Sequence, residues 1–559
     1  MTANKGLTAR LRRALKRLLL VIDRYRVTAA ERIFLRNVRD SVPRCDSNGP
    51  VVLLEAVEDH YYLVLFACIV SRLSAEQSID VQQFLPRSLR PGFSRSWLHA
   101  VKSLMFYNRL TDRKWMRLYS SFCRCVAYRS SASLLSRSSL ADLVEARRIW
   151  KNLTSGEMLE ELTIAGIKVG DLIYDSYLRF KPAETVDLRS AYLWLVIWQT
   201  LRDLRQARAY MLNVRPRMFL ATFSTYIQHG VAVRVALAAG IEVFTFGNHQ
   251  EFYKQLKSTD WVHTRNPDGY RSGFARLEDP APKLEEAERA LSARLAGGID
   301  AATAYMKRSA YAGTAELPEG IQGSLLVFLH DFFDSPHCYR GMIFPDFWEW
   351  ATFTLSLARR AGIKVFVKPH PNQIESSEPV VQRLMAEYPE TTCLSIDTSN
   401  ARLAEAGVAC AITVYGTISH EMAYLGVPSI AAGHNPHISF SFCHTARDRD
   451  EYARLILNHR SLLHSPEKLR RESLEFYYMH NLKNAEEAPL RDALIRFRAR
   501  LISQNGLLNS GADFLSFAAG IDASAGFRKA CGDLAARLAG RDDALRNPGP
   551  LVRERASAV

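Results

Sequence analysis

The segment KVFVKPHPN, residues 364 to 372, places Lys368, His370 and Asn372 at the end of a short apolar run, with the histidine between two prolines. Proline fixes its own φ and keeps the residue before it out of the helical region. His370 is therefore expected on a stiff turn, where its imidazole either grips a phosphate or caps a backbone group. Lys368 stands two residues earlier on the same strand face and would add a point charge toward the same anion. A second segment, ITVYGTISHEMAYLGVPSIAAG (412 to 433), reads as a strand, then Gly416, Thr417, Ser419 and Glu421 at a helix start, then Gly426 and another strand. Free N–H groups and hydroxyls at such a start bind phosphate without a metal, and Glu421 suits ribose hydroxyls. The alternative is that Ser419 and Glu421 only cap the helix.

Other strand-like runs also end on groups able to do chemistry. LLVFLHDFFDSPH (325 to 337) delivers His330, Asp331 and Asp334, and VVLLEAVEDHYY (51 to 62) delivers Glu58, Asp59 and His60. RMFLATFSTYIQHG (217 to 230) leads to Thr222, Ser224, Tyr226 and His229, and IEVFTFGNHQ leads to Asn248 and His249. Taken singly, each histidine also fits a hydrogen-bonded structural role.

What must position these groups is a strand–helix–strand rhythm that runs twice. It occupies residues 49 to 250, breaks over 251 to 320 at a Pro-, Glu- and Ala-rich connection, and resumes over 321 to 449. Residues 450 to 559 read as helical with a loose end, and 1 to 48 as a basic amphipathic helix. In IKVGDLIYDSYLRF (167 to 180) the Gly and Asp residues are read as turn markers. The expected fold class is α/β, two Rossmann-like domains facing across a cleft with helical N- and C-terminal extensions. In open α/β sheets the ligand sits beyond the carboxyl ends of the strands, where these groups lie.

Composition narrows the class. The 559 residues are 48% hydrophobic and 23% charged, which suits a globular chain with large cores. No apolar run approaches the roughly 20 residues of a membrane span. The formal net charge is +15, and residues 1 to 50 hold 12 Lys or Arg against 4 Asp or Glu. That stretch suits a helix on an anionic membrane surface or one packed on the protein with a solvated basic face. No aromatic and basic interleaving suggests nucleic acid. The nine cysteines include one close pair, Cys123 and Cys125, without a second half, so buried thiols in a reducing cytoplasm are expected rather than zinc. Neither Gly-x-Gly-x-x-Gly nor a P-loop follows any strand, HEMAY is not a zincin motif, and DRD (448 to 450) reads as a helix start; no metal is expected to be required.

VKPHPN followed by GTISHEMAYLGVPSI resembles the donor half of GT-B glycosyltransferases of bacterial surface polysaccharides, in particular the capsule polysaccharide biosynthesis group. The resemblance covers residues 320 to 445, with fainter echoes in GDLIYDSYLR and STYIQHGVAVRVAL. It implies that His370 and Pro371 contact the donor nucleotide, a CMP-sugar first, and that Thr417, Ser419 and Glu421 belong to a phosphate- and ribose-binding turn. It implies no further cofactor, and a polysaccharide or lipid-linked acceptor. VYGTIS departs from the Asp-Tyr-Ser-Ser run of CDP-glycerol enzymes, and EDH lacks the Gly of the acidic sialyltransferase element.

Such a transfer needs a base for the acceptor hydroxyl. Asp59 or His60 is the first choice and Asp175 and His229 are the reserves, while His330, Asp331 and Asp334 suit phosphate, acceptor or acid/base roles. The expected location is cytoplasmic, with residues 1 to 45 the candidate for holding the protein to the inner face of the membrane. Two alternatives are a nucleotide-sugar 2-epimerase on the same frame, against which the chain is some 150 residues too long, and a noncatalytic carbohydrate- or nucleotide-binding component of polysaccharide assembly.

Overall fold

The computed structural model describes residues 32, 49–55, 60–84, 126–128, 137–181, 183–246, 253–263, 267–297, 316–371, 373, 377–462, 465–483 and 520–540. The basic N-terminal segment, Asp59, Asn248, His249 and Asn372 fall outside them.

The apolar runs become two six-stranded sheets. In the first half lie β1 (Val51–Glu55), β2 (Asp80–Phe84) and β3 (Val126–Tyr128), then a separate small hairpin of β4 (Thr163–Ile164) and β5 (Ile167–Lys168), then β6 (Met218–Ala221), β7 (Glu242–Phe246) and β8 (Tyr253–Leu256). The sheet order is β3-β2-β1-β6-β7-β8, parallel except for the antiparallel β7–β8 pair. The second half supplies β9 (Leu325–Phe328), β10 (Val365–Lys368), β11 (Thr392–Cys393), β12 (Cys410–Thr413), β13 (Ser429–Ala431) and β14 (Cys443–Thr445). Their order is β11-β10-β9-β12-β13-β14, parallel throughout. Strands such as MFLA, LLVF and CAIT are buried along their whole length, as parallel strands covered on both faces must be.

Both orders are the doubly wound arrangement, in which the winding reverses between the first strand and the fourth. The reversal falls between β1 and β6 in the first sheet and between β9 and β12 in the second, opening a crevice at the carboxyl end of each pair. Two Rossmann-like domains are thus present, and their arrangement is GT-B-like.

In the first half the helices are α1 (His60–Glu76), α2 (Arg137–Asn152), α3 (Gly156–Glu160), α4 (Gly170–Phe180), α5 (Ala191–Val214) and α6 (Tyr226–Ala238). The stretch expected to turn at its Gly and Asp residues is instead the helix α4. Its two aspartates are matched by tertiary partners, Asp171 by both guanidinium nitrogens of Arg234 and Asp175 by His337. Gly170 starts α4 because a Cβ there would stand 1.9 Å from the Leu159 carbonyl oxygen. Gly230 lets α6 cross α4, since its Cβ would meet Leu172 at 2.5 Å.

The connection and second half carry α7 (Tyr270–Phe274), α8 (Pro280–Leu295), α9 (Phe347–Ala361), α10 (Glu378–Glu387), α11 (Asn400–Glu405), α12 (Ile418–Tyr424), α13 (Arg449–Leu457) and α14 (Pro466–Tyr477). One apolar cluster unites α7, α8, α12 and α14 through Phe274, Leu291, Ala423 and Phe476. Finally α15 (Ala525–Ala539) returns to the first half. Gln77, just past α1, donates to the Ala535 carbonyl at 3.1 Å, and Arg537 pairs with Glu242 of β7 at 2.6 Å. Among the described residues no helix is long and apolar enough to cross a membrane.

Candidate functional site

The carboxyl edges of the two sheets meet. Tyr226, the first residue of α6, donates its hydroxyl to Asp334 Oδ1 at 3.3 Å, so the end of β6 faces the loop that follows β9. Tyr226 has φ +57, a conformation costly for an aromatic residue, and strain of this kind collects at working sites. The turn is held by Ser176 of α4, whose Oγ accepts from Ile227 N at 2.9 Å.

On the second half, three adjacent strand ends line the crevice. His330 follows β9 and is buried. Its ring stacks on Phe347 at 4.7 Å, and Nε2 accepts from Val414 N at 3.2 Å and from the Thr413 hydroxyl at 3.0 Å. Burial, then the neighbouring His370, push its pKa down to about 3, so the imidazole is neutral. The Thr413 oxygen also accepts from Gly416 N at 3.2 Å. Gly416 is required by that approach, since a Cβ would stand 2.7 Å from Thr413 Oγ1. His330 therefore shapes the turn after β12 instead of exchanging protons at neutral pH.

His370 follows β10 and is half-buried. Burial lowers its pKa, while Asp331 and Asp334 pull the other way, so the three groups share one neighbourhood. Asp331 Oδ1 accepts from Phe333 N at 3.1 Å and from the Ser377 hydroxyl at 2.8 Å. Asp334 is exposed and accepts from Ser335 N as well as from Tyr226. Thr417 is exposed and Gly416 partly so.

The remaining expected ligands are turned to other work. The Lys368 ammonium is buried and donates to the Thr398 carbonyl and to Asn400 Oδ1, each at 2.6 Å; burial pushes its pKa down to about 8. Two of its three N–H bonds are thereby committed away from any phosphate. Ser419 is buried and accepts weakly from the Cys443 thiol at 3.9 Å, and the N-cap position of α12 belongs to Thr417, whose side chain makes no capping bond. Glu421 is buried against Arg294 of α8, with Nη2 and Oε1 2.5 Å apart. The short helix α12 thus packs its polar residues inward and leaves Gly416 and Thr417 at the crevice.

The first half contributes a group that the sequence reading left out. Glu55, the last residue of β1, is fully buried, and its Oε2 accepts from Thr222 N at 2.7 Å and from the Thr222 hydroxyl. Its Oε1 lies 2.6 Å from His229 Nδ1 on α6. The ring of Phe223 stands edge-on to both His229 and His263, with centroids 5.5 Å away in each case. Burial pushes the His263 pKa down to about 4. His60, one of the two preferred bases, is the residue that opens α1.

A second contact between the halves is formed by Asp175 and His337, 2.6 Å apart, with Glu160 Oε2 3.6 Å from the other ring nitrogen. Burial by itself would lower the His337 pKa, but the charge and hydrogen bond of Asp175, helped by Glu160, outweigh it and hold the imidazole well above its ordinary value. Beside it, Tyr174 donates to Asp346 Oδ2 at 2.7 Å, while Oδ1 of the same aspartate accepts from Glu349 N and caps α9. Nothing in DSPHCYR marks His337 as a partner for α4; the pairing exists only once the halves meet. Among the described residues no group of three or more His, Cys, Asp or Glu is placed to hold a metal ion.

No family model matches the chain, and no curated protein matches it. Among solved structures it is similar to the β-Kdo 2,7 transferase of KpsC from Thermosulfurimonas dismutans, at 11% identity over 48% of this chain and 80% of that one, with a TM-score of 0.28. It is also similar to the UDP-N-acetylglucosamine 2-epimerase from Rickettsia bellii, at 10% identity over 81% of this chain and 99% of that one, TM-score 0.27. A third is the glycosyltransferase SnogD from Streptomyces nogalater, at 12% identity over 77% and 95%, TM-score 0.22.

Proposed function

We propose that the protein is a glycosyltransferase that moves a sugar from a nucleotide-activated donor, with a CMP-sugar first, to a growing bacterial surface polysaccharide or glycolipid. The donor would bind the second half, its phosphate against His370 and the Gly416–Thr417 turn without a metal ion, and the acceptor would enter from the first half. One observation carries the reading. Tyr226 at the first crevice bonds Asp334, which itself acts on His370 at the second, so the carboxyl ends of the two sheets face one another. Group transfer needs such facing ends, with the leaving phosphate on one wall and the attacking hydroxyl on the other. The runs after β1 and β9 lack the glycine-rich turn through which a dinucleotide pyrophosphate approaches the backbone, which weighs against a hydride-transfer enzyme.

The test is thermal unfolding of the full chain with CMP, CDP, UDP, GDP and their sugar conjugates, with and without EDTA. Stabilisation by cytidine nucleotides that persists in EDTA is expected. Stabilisation by uridine conjugates alone would favour the epimerase, and no shift with any nucleotide would overturn the reading.

A further inference from the structure

We infer that His229 is the base that takes the proton of the attacking hydroxyl and that Glu55 is its positioning residue; this rests on the transferase reading above. Glu55 offers one oxygen to His229 Nδ1 at 2.6 Å and the other to the Thr222 N–H and hydroxyl. A carboxylate so fixed cannot turn away, and it keeps a proton on Nδ1. The Gln228 amide nitrogen lies 2.8 Å from His229 Nε2. An amide NH2 only donates, so Nε2 presents its lone pair. With the hydrogen on the buried nitrogen and the amide nitrogen facing the other, the ring is held in the orientation a general base needs.

The place is also right. Glu55 ends β1 and Thr222 follows β6, so the dyad sits at the reversal point of the first sheet, where a ligand of a doubly wound domain is expected. His229 lies one turn into α6, whose first residue bonds Asp334 of the opposite half. Among the described residues, His263 of the loop after β8 is a titratable group that His229 and Lys254 both influence through space. Phe223 packs edge-on against both rings.

In the reaction the acceptor hydroxyl displaces the Gln228 amide from Nε2. Its proton passes to Nε2 as its oxygen bonds the anomeric carbon, and the bond from that carbon to the donor phosphate oxygen breaks, the electron pair leaving with the nucleotide. The same step with water in place of the acceptor is hydrolysis, which gives an assay that needs no identified acceptor.

The experiment compares wild type, His229→Gln, His229→Ala and Glu55→Gln as full chains. Nucleotide release is followed from whichever CMP-sugar stabilises the protein, and the histidine nitrogens are read by 15N NMR. His229→Gln should lower the rate by about 10²- to 10⁴-fold while nucleotide affinity stays within twofold, and added imidazole should restore part of the rate of His229→Ala. Glu55→Gln should move the His229 proton from Nδ1 to Nε2 and slow turnover, a change that a merely structural carboxylate would not cause. A His229→Gln enzyme within threefold of wild type, or a wild-type His229 with both nitrogens protonated at pH 7.5, would overturn the inference and leave the transferase reading standing. Wild-type protein that turns over none of the CMP-sugars would overturn both.

Discussion

Asp175 Oδ1 and His337 Nδ1 lie 2.6 Å apart and join two halves of the chain that share no sheet. The pair is almost wholly buried, with side-chain exposures of 2% and 6%. Removing one partner leaves the other buried without the charge and hydrogen bond that offset its burial. His337→Gln or Asp175→Asn should therefore lower stability by about 3–5 kcal/mol, measured by urea unfolding.

The pH dependence of that contact has a definite sign on its alkaline side. The folded His337 pKa is raised, so its share of the stabilisation is lost as pH climbs from about 6.5, the ordinary histidine value, through the raised value, while burial holds the Asp175 pKa up at about 6, so the charged pair also weakens below that pH. Urea midpoints of wild type and His337→Gln should therefore converge between pH 6 and pH 10. A constant gap would mean that the imidazole is not charged in the folded protein.

His370 should act on the donor phosphate in the opposite pH range. Burial lowers its pKa against the pull of Asp331 and Asp334, so the unliganded imidazole is mostly neutral at pH 7 and charges only below about 6.5. Calorimetric affinity for CMP should rise as pH falls from 7.5 to 5.5 in wild type and rise less in His370→Ala. At the acid end the variant should bind about 10- to 100-fold more weakly, the worth of one hydrogen bond to a charged group. Parallel curves for the two proteins would remove His370 from the phosphate.

The buried pair of Arg294 and Glu421 ties the connecting helix α8 to the turn after β12. Arg294→Met and Glu421→Leu should each cost about 3–5 kcal/mol, and the double variant less than their sum, because only the single changes strand a charge. CMP titration of the folded double variant should give wild-type affinity; a loss there would assign Glu421 a contact with the nucleotide as well.

How far the sequence revealed this molecule depends on the distance over which each residue finds its partner. VVLLE, MFLA, LLVF and CAIT are buried strands because local runs of apolar residues suffice to make them, and the two blocks of winding could be read from their spacing. The strand ends of His330 and His370 were legible for the same reason. What each end does was not. His330 is neutral because Phe347 and Val414, 17 and 84 residues further on, enclose it, and Lys368 is committed to Thr398 and Asn400 at the start of α11, 30 and 32 residues away. Asp171 and Asp175 looked like turn formers because their partners, Arg234 and His337, stand 63 and 162 residues further on. Glu55 was hidden in the last place of an apolar strand. A lone carboxylate ending a strand beside the winding reversal is the one local sign that could have exposed it.

The return of α15 to α1 sets an order on synthesis. Gln77 and the Ala535 carbonyl it bonds are 458 residues apart. At about 5–20 residues per second the ribosome needs roughly 20–90 s to cover that span. Until then the first domain waits with the seat of α15 uncovered, an apolar surface open to chaperones, while the second domain has time to close on itself.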